Sequence, residues 1–207
     1  LGSIGQRHLR NIKRVYGEEA QILAYRVRGL ERTFSDTMQI RENVSLEEEY
    51  NIKSFADLSK ALLEKPDIAY ITNITKSHIP CAIACAKAGC HLFLEKPISD
   101  SLDGIEELAK IVAEKKLKVF VGYQNRFHPG IQYLKQFLAE GSIGRILSVR
   151  SVVGERLTTM HTYENYKDTY MARKDMGGGV LLNQMVHELD YLYYLFGQPK
   201  SVYALGG

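Results

Sequence analysis

The chain has 207 residues, of which 45% are hydrophobic and 25% charged, with a net charge of +3. This is an ordinary globular composition, long enough for one large domain or two small ones. So small a net charge, with both signs interspersed, argues against a nucleic-acid partner, and no apolar run approaches the roughly 20 residues that span a bilayer.

No signal peptide is visible either. The cysteines are Cys81, Cys85 and Cys90. Their spacing fits neither a zinc knuckle nor a disulfide framework, so no metal site is expected. Cys81 and Cys85 lie one helical turn apart among alanines and read as small core residues. Free thiols fit a reducing cytoplasm. The chain opens at Leu1 inside a glycine turn and stops at Gly207 just after a strand-like run, so both ends read as cut.

In chain order, Gly2-Ser3-Ile4-Gly5 leads into an amphipathic stretch with Ile4, Leu9, Ile12 and Val15 near one helical face. Residues 21–25 form a short apolar strand candidate, and residues 30–50 are polar and unassigned. A helix is expected over 55–63, a strand over 67–72 and an alanine-rich helix over 78–88, stopped by Gly89. A strand over 91–94, a helix over 102–114 and a strand over 118–121 follow. Strands alternating with helices imply a parallel sheet with crossover helices.

The pattern changes after Gly122. A helix is expected over 128–139, and residues 145–154 alternate like a strand of an antiparallel sheet. Residues 155–176 read as a loop. Gly177-Gly178-Gly179 opens a last helix running to Phe196. We therefore place a dinucleotide-binding domain at 1–122 and the start of a second domain at 123–207.

Leu1-Gly2-Ser3-Ile4-Gly5 has the form of the second half of a dinucleotide fingerprint, in which glycines let the backbone approach a pyrophosphate at a helix N-terminus. An ordinary tight turn fits the same five residues. About 20 residues after the last glycine, an acid usually selects NAD. Here Ala24-Tyr25-Arg26-Val27-Arg28 carries none, and a guanidinium suits the 2′-phosphate of NADP. Arg26 and Arg28 also fit solvated charges at a strand end. The expected cofactor is NADP or NAD, with a lean to NADP.

With Glu95-Lys96-Pro97 following a strand, the chain resembles the glucose-fructose oxidoreductase / inositol dehydrogenase / rhizopine-catabolism (Gfo/Idh/MocA) family along essentially its whole length. The resemblance rests on Gly-Ser-Ile-Gly-Gln-Arg-His (2–8), Ile71-Thr72-Asn73 with His78, Ala88 to His91, and Glu95-Lys96-Pro97. It continues in Val121-Gly122-Tyr123 with Arg126-Phe127, then Gly177 to Asn183 and His187-Glu188-Leu189-Asp190. It implies a Rossmann domain followed by an open, mainly antiparallel sheet that often builds homo-oligomers. It also implies oxidation or reduction of a hydroxyl or carbonyl on a sugar, cyclitol or sugar derivative.

Residue roles follow. Lys96, extended because Pro97 follows it and at the C-terminal end of a parallel strand, would point into the ligand crevice. By resemblance it binds the reacting oxygen and helps move its proton, although on the residues alone a surface lysine fits as well. His187 would be the general base, with Lys96 and His187 both touching substrate. Asn183, His187 and Asp190 would share one helical face. Leu182, Met185, Leu189, Tyr193 and Phe196 would pack on the sheet from the other. The alternative is a solvated stripe, or a core histidine satisfied by Asp190.

Asn183 stands where the family usually has Asp, and an amide supplies no negative charge to an imidazolium. By resemblance, Gly2, Ser3, Ile4, Gly5, Arg26, Thr72, Asn73, His78, Glu95, Lys96 and Arg126 would meet the cofactor. Tyr170 and Arg173, together with His161 and Tyr163, offer donors that would suit a polyhydroxylated or carboxylated substrate, and each fits a solvent-exposed loop residue equally well. Two other functional classes stay open: a non-catalytic NAD(P)-binding sensor or partner subunit, and an NAD-dependent lyase or glycosidase.

Overall fold

The structure is a computed structural model, and it describes all residues except 28, 30, 31, 38, 42, 43, 155, 157, 159–163 and 207. Helix α1 (Ser3–Tyr16) follows Gly2, buries Gly5, Gln6 and Leu9, and carries Lys13 and Arg14 in its last turn, where cations favour the helix dipole. Strand β1 (Leu23–Tyr25) pairs in parallel with β4 (Lys53–Phe55).

Between these strands lie the antiparallel pair β2 (Thr33–Phe34) and β3 (Ile40–Arg41), then α2 (Leu46–Tyr50). These elements occupy the polar stretch that shows no periodicity, because units of two to five residues are too short to display one. The helix expected over 55–63 is divided. Phe55 belongs to β4, opposite Tyr25, and α3 (Leu58–Leu63) starts after Asp57, whose side chain accepts the Ser59 amide as a cap.

The second sheet is parallel, in the order β5 (Ile68–Ile71), β6 (His91–Leu94), β7 (Val119–Val121). Crossover helices α4 (His78–Lys87) and α5 (Ile105–Glu114) cover one face. Ile71, Leu92 and Leu94 pack there against Ile79, Ala82, Cys85, Ala86, Leu108 and Ile111. Cys85 and Cys90 are buried in this core, and all three thiols are free. On the other face Tyr70, Phe93 and Phe120 sit in register and stack at 4.9 and 5.5 Å. α5 begins at Ile105 rather than Leu102 because Gly104 is left-handed (φ +76) and lies against Ile79, where a Cβ would come within 2.8 Å of Cγ2.

After β7 comes α6 (Pro129–Ala139), capped by His128, whose ring accepts the Gly130 amide. The strand expected over 145–154 is not formed among the described residues, nor is the strand-like run at 201–205. A strand exists only through the neighbour it pairs with, and these exposed segments have none here. The last helix is also different from expectation. Leu181–Met185 forms a π turn, and regular helix α7 (Val186–Phe196) follows. The wider turn holds an extra residue and rotates everything after it. Met185, Leu189, Tyr193 and Phe196, expected to pack on the sheet, are 38 to 52% exposed. Among the described residues no helix is long and apolar enough to cross a membrane.

Candidate active site

One cleft is walled by Gly2 to Gly5, Arg26, Thr72, Asn73, His78, Glu95, Lys96, Tyr170, Asn183 and His187. The structure therefore brings together residues from both ends of the chain. At about 2940 Å³ the cleft far exceeds a small-molecule pocket, because its walls also include β1 and β5 along their length.

The glycine turn forms one end. Helix α1 has Gly2 at its N-cap, no side-chain cap and no acid in its first turn. A Cβ at Gly2 would meet nothing within 4 Å. Uncapped amides facing an open cleft suit an anion, so the residues present fit a dinucleotide phosphate. Gly5 has a different reason to be glycine: a Cβ there would lie 2.8 Å from Thr72 Oγ1. Its absence lets α1 approach the end of β5.

Glu95 follows β6, is 9% exposed, and is held at both oxygens. Oε1 pairs with His8 Nε2 of α1 at 2.7 Å, and Oε2 accepts the Lys96 amide at 3.1 Å. The His8 ring rests edge-on against Phe93 at 4.8 Å. The glycine-turn helix is thus braced, through one carboxylate, against the backbone of Lys96. His8 appears in the sequence only as the last letter of a motif; nothing in its spacing signals an acid 87 residues away.

Lys96 Nζ donates to the carbonyl oxygen of Asn183 at 2.9 Å. That carbonyl lies in the π turn just ahead of His187. The Asn183 side chain turns away and donates to the Gly179 carbonyl at 3.1 Å. His187 is 9% exposed, and its Nδ1 has no hydrogen-bond partner among the described residues. Burial, and then the Lys96 charge, push the imidazole below the ordinary histidine value. It is neutral at pH 7 and able to accept a proton.

A pH prediction follows from that direction. The unfolded chain takes up a proton at the ordinary value near 6.5, before the buried ring does. The associated stability is present above that value and is lost as pH falls through the lower folded one. Melting temperature measured in steps below pH 6.5 should decline, and His187→Gln should flatten the decline.

Asp190 makes no hydrogen bond to His187 among the described residues. It takes Arg126 in a two-pronged pair, Nε to Oδ2 at 2.8 Å and Nη2 to Oδ1 at 2.6 Å. The guanidinium also lies over the rings of Tyr123 and Tyr194. Arg126, expected to meet the cofactor, forms a strut between the turn after β7 and the His187 helix and is not among the residues that line the cleft. Bonds to charged groups are worth roughly 1.5–3 kcal/mol. Asp190→Asn should cost about 2 kcal/mol in denaturant titrations, and a loss below about 0.5 kcal/mol would mean that the strut does not stabilise the fold.

His78 is buried, with Nδ1 on Pro97 O at 2.8 Å and Nε2 on Asn73 O at 3.0 Å. It sits between these two backbone walls of the cleft. Arg26 is paired with Glu47, which also takes the Ser54 hydroxyl, so the cation offered to a 2′-phosphate is already matched. Arg173 pairs with Asp175 on the surface, away from the cleft wall. Tyr170 lies on the wall, in a loop pinned by Gly178, where a Cβ would fall 2.1 Å from Tyr170 O. Arg28, His161 and Tyr163 lie outside the described residues. Among the described residues no group of three or more His, Cys, Asp or Glu is placed to hold a metal.

A curated relative, myo-inositol 2-dehydrogenase of Thermotoga maritima, is 26% identical over 209 residues, covering 100% of this chain and 56% of the relative. The 2,7-anhydro-N-acetylneuraminate hydratase of Escherichia coli is 32% identical over 133 residues, covering 63% of this chain and 34% of that protein. The chain thus spans about half or less of the length of these relatives. The solved structure of the WlbA dehydrogenase from Bordetella pertussis, in complex with NADH and UDP-GlcNAcA, shares the fold. Its TM-score is 0.71 at 22% identity, over 95% of this chain and 53% of that one. Residues 1–123 match the GFO/IDH/MocA oxidoreductase family, NAD-binding Rossmann fold, and residues 131–207 match the GFO/IDH/MocA C-terminal domain. The chain belongs to the GFO/IDH/MocA family of oxidoreductases.

Proposed function

We propose that the full-length protein oxidises or reduces a hydroxyl or carbonyl of a sugar, cyclitol or sugar derivative with a nicotinamide dinucleotide. Residues 1–122 hold the cofactor. Residues 123–207 begin a substrate and oligomerisation domain with an open antiparallel sheet. The observation that carries the reading is the meeting of Lys96 with the π turn just ahead of His187, in the cleft onto which α1 opens.

When bound, the nicotinamide supplies the hydride acceptor or donor. Lys96 reaches the reacting oxygen from the end of β6 and holds or returns its proton. The neutral, buried His187 accepts a proton beside it. Glu95, fixed by His8, keeps the Lys96 backbone in place. The Asn183 amide adds no negative charge, which leaves Lys96 the larger share of proton movement. Tyr170 lies on the same cleft wall.

The test is a panel of sugars, inositols and nucleotide sugars given to the full-length protein, following absorbance of the reduced cofactor. Substrate-dependent change is expected with at least one of them. Tightly held dinucleotide with product formed and no net reduction would favour the lyase reading, for which the hydratase among the relatives is a precedent.

A further inference from the structure

We propose that Glu47 sets cofactor choice by occupying Arg26, so that the protein selects NAD over NADP; this rests on the dinucleotide reading of the glycine turn. Arg26 directly follows β1 and extends its ladder, its amide donating to Phe55 O at 2.9 Å. It lines the cleft together with Gly2 to Gly5. By position it is the residue that meets the ribose next to the adenine, where a cation favours a 2′-phosphate.

Its guanidinium, however, is already engaged. It is 9% exposed at the side chain and paired with Glu47 Oε1. Ser54, from the middle of β4, donates to the same oxygen at 2.6 Å. Ser45 Oγ lies 3.4 Å from the other oxygen. The Ser54 bond, helped by Arg26, holds the Glu47 carboxyl down at about 2, so it is an anion throughout the working range.

A 2′-phosphate carries up to two negative charges. To use Arg26 it would have to displace Glu47 or bring its charge alongside a fixed carboxylate, and like charges disfavour each other. A 2′-hydroxyl adds no charge and leaves the pair intact. The acid that selects NAD is absent from the end of β1 and arrives instead from α2, through Arg26.

The test uses reduced-nicotinamide fluorescence to measure NADH and NADPH affinities of the full-length protein and its variants. Wild type should bind NADH at least about tenfold more tightly. Glu47→Gln should raise NADPH affinity relative to NADH about tenfold or more, because Arg26 loses its counter-charge. Arg26→Gln, which keeps the anion and removes the cation, should weaken NADPH further and change NADH little. NADPH preferred by wild type, or a ratio unmoved in Glu47→Gln, would overturn the inference alone. Should Glu47→Gln fail to fold, the Arg26→Gln ratio decides in the same way. Failure of wild type to bind either dinucleotide would overturn this inference and the functional reading together.

Discussion

Lys96→Met should lower kcat by about 10²- to 10⁴-fold, the usual worth of a positioned proton-transfer group. Methionine keeps the length and apolar stem of the side chain and removes only the ammonium. The Nζ position is fixed by the Asn183 carbonyl at 2.9 Å, so the loss falls on a defined group rather than a mobile one. The same substitution removes the positive charge that helps depress His187. The acid limb of any residual activity should therefore move to higher pH. His187→Ala, measured alongside, should cost less than Lys96→Met if the Asn183 amide leaves the lysine with the larger share. An equal or larger loss at His187 would refute that uneven division.

The largest effect on stability is expected from Gln6→Leu, at about 3 kcal/mol. Gln6 is 0% exposed in α1. Its amide nitrogen donates to Arg32 O and, at 3.2 Å, to Leu1 O, while its oxygen accepts the Phe34 amide at 2.8 Å. Leucine is close in volume and leaves the core packed. It strands a buried amide and two carbonyls, and each such group costs roughly 1–3 kcal/mol. The bonds tie the start of the glycine turn to β2, so dinucleotide affinity should fall in parallel. Denaturant titration of the full-length protein, together with cofactor titration, separates the two losses. A stability change under about 0.5 kcal/mol, the size expected of an unremarkable surface change, would show that the amide is not a tie.

Regular elements of ten or so residues are legible in this sequence. The periodicity of α1, α4 and α5 and the apolar runs of β5, β6 and β7 point to a parallel sheet with crossovers, and that is what forms. β2, β3 and α2 are not legible, since they are short and, unlike β5 to β7, carry no apolar run. The burial of the last helix is not legible for another reason. Leu189, Tyr193 and Phe196 share a face of unbroken α7, but that face is exposed, and which face a helix buries is set by what packs on it.

For the site, sequence alone determined the family, the glycine turn and the set of chemically able residues: Lys96, His187, Asn183 and Glu95. All four line one cleft. The pairings were decided only by tertiary structure. His8 with Glu95, Arg26 with Glu47 and Arg126 with Asp190 join residues 87, 21 and 64 positions apart. Charge partners are chosen by proximity after folding, and no local pattern in the chain records that choice. So an arginine offered to a phosphate is matched by an acid from α2, and an arginine expected to meet the cofactor instead braces the helix that carries His187.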